Sequence, residues 1–353
     1  MLSRKFQLFQ IEPTTRCNLD CIMCPWRDMH VSGIDMKIDL FRKISKYFPE
    51  TDEIDLTGSG ESLMNPNLVE MVKLGKENGC RVGFSTNGLL LGRDRANRLL
   101  ETGIDWFAFS IDASKDETYK TIRVGGNLSK VLENIEYIQN YRERNKKRHP
   151  MLMIFFVMMK RNYTELPDLV ELASCIGVDI VVAKHLDVIV NSVQGQQRII
   201  DAYDSSLNVQ DVTKVIDDAK SRAKSSGIKL RVYELADTEN AVCEQNPLKT
   251  LFVSADGNVS PCISLAYMSQ RGFKGGIFET PVLHFGNLQN QDLEDIFESQ
   301  EYRKFRKIFE ERSAKSLLTS VNSFLINFKH ISNSTDFPPA PIGCQNCYNL
   351  YEN

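Results

Sequence analysis

No charge of one sign dominates this chain of 353 residues, since 46 acidic side chains stand against 43 basic ones for a net charge of −3. That balance excludes a global electrostatic pull toward nucleic acid or an anionic membrane surface, and neither is expected as a partner. Long apolar runs are missing as well. The longest, from Met151 to Met159, has nine residues, against the roughly 20 that a membrane-spanning helix needs. No charged segment followed by an apolar stretch opens the chain, so no signal peptide is expected. Histidine is sparse, with five residues and no metal-like spacing among them. What remains is ordinary globular composition, 42% apolar and 25% charged, in a length that suits one large domain plus a smaller one.

Cysteine is the exception. There are nine, an odd number in clustered spacings. This pattern reads as metal ligation in a reducing, cytoplasmic compartment rather than as a disulfide framework.

Strand-like and helix-like segments alternate from residue 7 to about 190. Strands are expected at 6–11, 53–56, 81–85, 106–111, 152–158 and 179–183, with helices at 37–47, 67–78, 93–102, 129–145 and 165–176. Six βα units with short connections predict an α/β fold, a parallel sheet that right-handed crossovers curve into a partial (β/α)6 barrel of the TIM type. The sequence divides into a barrel over 1–187, a linking region over 188–240 and a smaller α+β domain over 241–353. The linking region carries a helix at 209–225 and a strand at 229–233. In the last domain a hairpin turns at Asp256-Gly257, a helix covers 293–311, and 313–342 shows no clear period. The basic stretch 142–149 reads as a solvated helix end.

Functional loops of parallel α/β folds follow the carboxyl ends of the strands. Cys17, Cys21 and Cys24, the turn at 58–61, Thr86-Asn87 and the segment 110–112 all fall there. Three thiolates at C-x3-C-x2-C suit an iron–sulfur cluster or zinc. Structural zinc takes four protein ligands, and nothing nearby supplies a fourth except His30. In a four-iron cubane, three thiolates leave one iron open to another ligand. A second set, Cys243, Cys262, Cys344 and Cys347, could cap every iron of a second cubane or hold zinc. Cys80 and Cys175 read as packing residues, with hydrogen-atom donation to a substrate radical as the alternative.

The cysteine loop resembles the signature of the radical SAM superfamily, with Met23 where that family often has an aromatic. The resemblance extends along the chain. Gly58-Ser59-Gly60-Glu61 is similar to the family's glycine–glutamate motif, but with Ser59 for a glycine and Ser62 for a proline. It implies that Ser59, Gly60 and Glu61 hold the amino group of S-adenosylmethionine. Thr86, Asn87, Ser110 and Asp112 match segments that approach its methionine and ribose portions, and Arg123 matches an arginine that pairs with the methionine carboxylate. The last four cysteines, with Phe285-Gly286-Asn287-Leu288 and the helix of Ile296, Phe297 and Tyr302, resemble the SPASM or twitch extension. A full SPASM domain carries seven cysteines, so one auxiliary [4Fe–4S] cluster with four Cys ligands is implied here, beside the [4Fe–4S] cluster with three.

The activity so implied is reductive cleavage of S-adenosylmethionine to a 5′-deoxyadenosyl radical that takes hydrogen from a substrate C–H bond. The electron would come from a flavodoxin- or ferredoxin-type donor. The expected outcome is dehydrogenation or epimerisation of a sugar-like or aminocyclitol small molecule, and the alternative is modification of a ribosomally made peptide. A barrel starting near residue 7 implies no N-terminal leader-recognition domain, which favours the small molecule. A reading from another class, a metal-stabilised binding or scaffold protein, predicts four-ligand sites throughout.

Overall fold

Seven parallel strands pair in chain order: β1 (Phe6–Ile11), β2 (Thr51–Asp55), β3 (Arg81–Thr86), β4 (Trp106–Ser110), β5 (Met151–Met158), β6 (Ile180–His185) and β7 (Lys229–Val232). The structure is a computed structural model that describes residues 4–28, 33–199, 209–233, 239–267, 270–325 and 337–351. On the free edge of β1 the sheet continues into β8 (Thr250–Val253), which is parallel to it. Antiparallel β9 (Asn258–Ser260) and β10 (Gly286–Asn287) follow. The order runs from β10 to β7 without the two ends meeting, so the wall stays open.

The strand pattern explains the layering. Along β5, Leu152, Ile154, Phe156 and Met158 are buried while Met153, Phe155 and Val157 are half-buried. One row packs beneath the helices and the other faces the interior, as a period of two requires. The helix Leu128–Arg144 buries Leu128, Val131, Ile135 and Ile138 against the sheet, a stripe at helical spacing. Asn127 caps it by accepting the Lys130 N–H. Each such apolar side chain contributes about 1.5–3 kcal/mol on burial. On the inner face, Gly83 is required because a Cβ there would lie 2.2 Å from the Trp106 ring. Trp106 crosses the interior and donates to Glu53 Oε1 at 2.8 Å, below Ser85 and Ser110.

Some features differ from expectation. The helix foreseen at 293–311 is two, Leu293–Phe297 and Gln300–Leu325. Ser299 breaks it, its hydroxyl accepting the Tyr302 N–H at 3.3 Å, and the second helix runs on into residues with no clear period. Arg142 is not a solvated helix end. It is 6% exposed, paired with Asp179 at 2.5 Å and donating to the carbonyls of Pro150 and Gly177. A hairpin of Gln270–Phe273 and Gly276–Glu279 was not foreseen at all. Among the described residues, no helix is long and apolar enough to cross a membrane.

Candidate active site

β1 delivers the chain to Glu12 and then to the cysteine loop, which is pinned on both sides. Thr14 donates to Asp35 Oδ1 at 2.6 Å, and Arg16 grips the same carboxylate through Nε at 3.0 Å and Nη2 at 2.6 Å. Arg16 Nη2 also donates to the Met64 carbonyl at 2.9 Å. Cys21 lies in a two-stranded ribbon opposite Arg123. The three cysteines differ in exposure, Cys17 being exposed, Cys24 half-buried and Cys21 buried. Burial pushes the Cys21 thiol up to about 11 against the pull of Arg123, and raises Cys17 and Cys24 as well. Three thiols that resist ionisation in a shared pocket need a bound cation to become thiolates.

The turn after β2 is shaped by contacts with this loop. A Cβ at Gly60 would stand 2.4 Å from the Arg16 carbonyl, and one at Gly58 would stand 2.2 Å from the Glu12 side chain. Both departures from the glycine–glutamate motif have a local cause. The Ser59 N–H and hydroxyl each donate to Glu12 Oε1 at 2.7 Å, so the extra side chain turns away from the cavity. The Ser62 hydroxyl donates to the Leu56 carbonyl at 2.6 Å. The Glu61 carboxylate is occupied by protein donors: the Thr86 hydroxyl at 2.7 Å, the Asn87 N–H at 2.7 Å and the Leu63 N–H at 3.1 Å. It locks the turn after β2 to the turn after β3, so what this segment offers the cavity is backbone.

Arg123 is 9% exposed and forms an ion pair with Asp112 at 2.6 Å. Its Nη1 lies 3.8 Å from the Cys21 sulfur, and its Nε finds no partner. Burial pulls the guanidinium down, but Asp112 and Cys21 beside it hold it above its ordinary value. Asp112 is fully buried, and its Oδ1 accepts the Val157 N–H at 2.7 Å. Asp112 therefore stands behind Arg123.

These parts converge on one cavity of about 310 Å³. Cys17, Cys21 and Cys24 line it, together with Ser59, Gly60, Glu61, Thr86, Asn87, Ser110 and Arg123. Asp112, expected as a cofactor contact, does not. Leu19, Met23, Trp26 and Val157 supply an apolar side, and Leu186 to Val188 close it after β6. Sequence reasoning passed over Glu12, Trp26 and Asp187. Asp187 had a signal, because it follows the carboxyl end of a strand as the other rim segments do.

The orphaned Arg123 Nε, the two glycine positions that admit no Cβ and the three raised thiols fit a cluster with an amino-acid-bearing ligand. Among the described residues, no three His, Cys, Asp or Glu side chains converge closely enough for a single metal ion. What marks the thiol sets is their chemistry, their number and the cations beside them.

The second set is assembled from three stretches of chain. Arg312 is fully buried and donates to the carbonyls of Ala241 at 2.9 Å and Asn240 at 2.8 Å, fixing the approach to Cys243. The Asn240 N–H donates to the Leu350 carbonyl at 2.7 Å, which ties that approach to the far end of the chain. Cys262 follows β9, and Cys344 and Cys347 flank the end of the helix Ile342–Gln345. Burial pushes Cys243 up to about 12, with the charges of Cys262 and Cys347 adding to it, and raises the other three. Phe285 stacks on Tyr302 with ring centroids 4.2 Å apart, and Gly286 leaves room for Ile296, 2.6 Å from where a Cβ would sit. None of these four cysteines lines the cavity of Arg123.

The two remaining cysteines do not reach it either. Cys80 is 1% exposed, its sulfur 3.3 Å from the Phe48 carbonyl. Cys175, expected to pack, is exposed at the end of the helix Leu166–Cys175. It stands two residues past buried Ala173, about 200° around the helix. Neither is placed to donate a hydrogen atom in the cavity. His30 lies outside the described residues.

Comparison with known proteins agrees with this anatomy. Residues 11–173 match the family model of the radical SAM superfamily, and 243–318 match the SPASM iron–sulfur cluster-binding domain. The chain is 32% identical over 304 residues to the tungsten-containing aldehyde ferredoxin oxidoreductase cofactor-modifying protein of Pyrococcus furiosus, covering 84% of this chain and 82% of that one. It is 25% identical over 317 residues to the AdoMet-dependent heme synthase of Methanosarcina barkeri, covering 85% and 84%. The solved structure of Streptococcus suis SuiB bound to S-adenosylmethionine superposes with a TM-score of 0.65 at 14% identity, over 86% of this chain and 68% of that one. At that identity the likeness concerns the fold.

Proposed function

This chain belongs to the radical SAM superfamily, and we propose that it takes a hydrogen atom from a C–H bond of a small molecule held in the cavity of Arg123, leading to net oxidation. The observation that supports this reading is the contrast between the thiol sets: Cys17, Cys21 and Cys24 line the cavity, while Cys243, Cys262, Cys344 and Cys347 lie outside it. When bound, the N-terminal cluster with S-adenosylmethionine supplies a 5′-deoxyadenosyl radical as hydrogen acceptor, and the second cluster supplies a one-electron acceptor.

The chain's own residues do the rest. Cys17, Cys21 and Cys24 would hold the first cluster. The Arg123 guanidinium, aligned by Asp112, would take a carboxylate by a charge-assisted contact. Backbone of the Ser59–Glu61 turn, held rigid through Glu12 and Thr86, would receive the amino group. Leu19, Met23 and Val157 keep water and stray hydrogen donors from the reacting atoms.

For the substrate we favour a cofactor or cofactor precursor. Two relatives matched across most of their length, the cofactor-modifying protein and the heme synthase, are named for work on a cofactor. The test is anaerobic turnover with deuterium-labelled candidates, following label into 5′-deoxyadenosine. Label arriving from a cofactor precursor supports the reading. Label arriving only from a peptide, or no 5′-deoxyadenosine at all, overturns it.

A further inference from the structure

Arg271 is 2% exposed, and its Nη2 has no hydrogen-bond partner. Its Nη1 reaches only as far as the Gly343 carbonyl, at 3.4 Å, beside Cys344. A buried guanidinium left short of partners is costly unless an anion completes its surroundings. Through Gly343 the guanidinium stands next to the chain segment that carries Cys344 and Cys347. Burial pulls Arg271 down, yet the charges of Cys347, Cys262, Cys344 and Asp187 win and hold it above its ordinary value. Its backbone is fixed too. The next residue, Gly272, donates its N–H to the Ile189 carbonyl at 2.7 Å, and a Cβ there would stand 2.7 Å from the Ile189 side chain. Ile189 lies two residues beyond Asp187, which lines the cavity of Arg123. The hairpin that carries Arg271 is thereby anchored to the cavity wall.

We infer that Arg271 is a positioning residue for the auxiliary cluster: a built-in cation that raises its reduction potential, opposed by Asp187. The inference rests on the second thiol set holding a cluster. A cluster bound by four thiolates is anionic and gains one more negative charge on reduction. A guanidinium fixed beside it stabilises the reduced form, and a carboxylate at the same place stabilises the oxidised one. Net charge and nearby hydrogen-bond donors are the levers by which a protein sets such potentials.

The experiment is a redox titration of the full-length, anaerobically reconstituted protein, with the reduced auxiliary cluster followed by electron paramagnetic resonance. At fixed applied potential, Arg271→Gln is expected to lower the reduced-to-oxidised ratio about tenfold, which is about 59 mV for a one-electron couple. Arg271→Lys keeps the charge and should lose less. Asp187→Asn should move the ratio the other way, and the N-terminal cluster serves as the reference that Arg271 leaves unmoved. Should Arg271→Gln assemble no second cluster, Arg271→Lys and Asp187→Asn, opposite in sign, decide. Ratios within twofold of wild type, or Asp187→Asn moving with the Arg271 variants, overturn the inference. A wild-type protein with no second cluster signal overturns instead the functional reading beneath it.

Discussion

The cysteine loop draws three thiols from one short segment, whereas Cys243, Cys262, Cys344 and Cys347 are gathered from three distant stretches around buried Arg312 and Arg271. The first set sits on a rim where Cys17 is exposed and Arg123 keeps a buried nitrogen without a hydrogen-bond partner. The second lies outside that cavity, its four thiols half-buried. In the function proposed above, the local set leaves one position for a partner from outside, and the set gathered by tertiary structure leaves none.

The sharpest way to break this comparison is to remove thiols from each side. Replacing Cys17, Cys21 and Cys24 with Ala should abolish 5′-deoxyadenosine formation and lower iron from about eight to about four per chain. Replacing Cys344 and Cys347 should remove the other four yet spare cleavage of S-adenosylmethionine while product is lost. Unchanged product yield with that iron gone would end the redox role of the closed site.

Smaller effects probe the cations and carboxylates. Arg123→Gln should weaken S-adenosylmethionine binding by about 1.5–3 kcal/mol, roughly ten- to a hundredfold, as a lost hydrogen bond to a charged group does. Equilibrium binding to the reconstituted protein measures it. Glu12 accepts from Ser59, from the Ala255 N–H at 3.0 Å and from the Tyr267 hydroxyl, and so joins the open site to the C-terminal region. Glu12→Gln leaves some of those donors facing an amide and should cost about 1–3 kcal/mol, read as a lower melting temperature.

The mildest test is one of pH. Burial pushes Asp55, on the inner face of the barrel, up to about 7, with the Thr57 hydroxyl opposing. The folded protein then binds more protons there than the unfolded chain between the ordinary carboxylate range and about pH 7. Its contribution to stability therefore falls as pH rises across that window. Asp55→Asn should flatten that part of the melting-temperature profile, and an unchanged slope would place the titration elsewhere.

What could be read from sequence follows the same division. The parallel strands were legible because apolar alternation and glycine stops repeat locally, and β1 keeps its expected bounds of Phe6–Ile11. The cysteines stood out by chemistry alone. The rest depends on partners far along the chain. Arg142 looks like a surface cation until Asp179 is brought beside it, and Asp112 looks like a ligand contact until Arg123 occupies it. Ser59 looks like a flaw in a motif until Glu12 accepts its hydroxyl. Arg271 carries no signal at all, since Gly343 lies 72 residues away.

The pairing of Thr250–Val253 along Phe6–Ile11 reaches into biosynthesis. The strand that feeds the cysteine loop is made long before one of its two neighbours. Until then its outer backbone lies bare, an unprotected edge open to mispairing. A polypeptide halted before residue 250 would carry all three N-terminal thiols on a wall still lacking its flank.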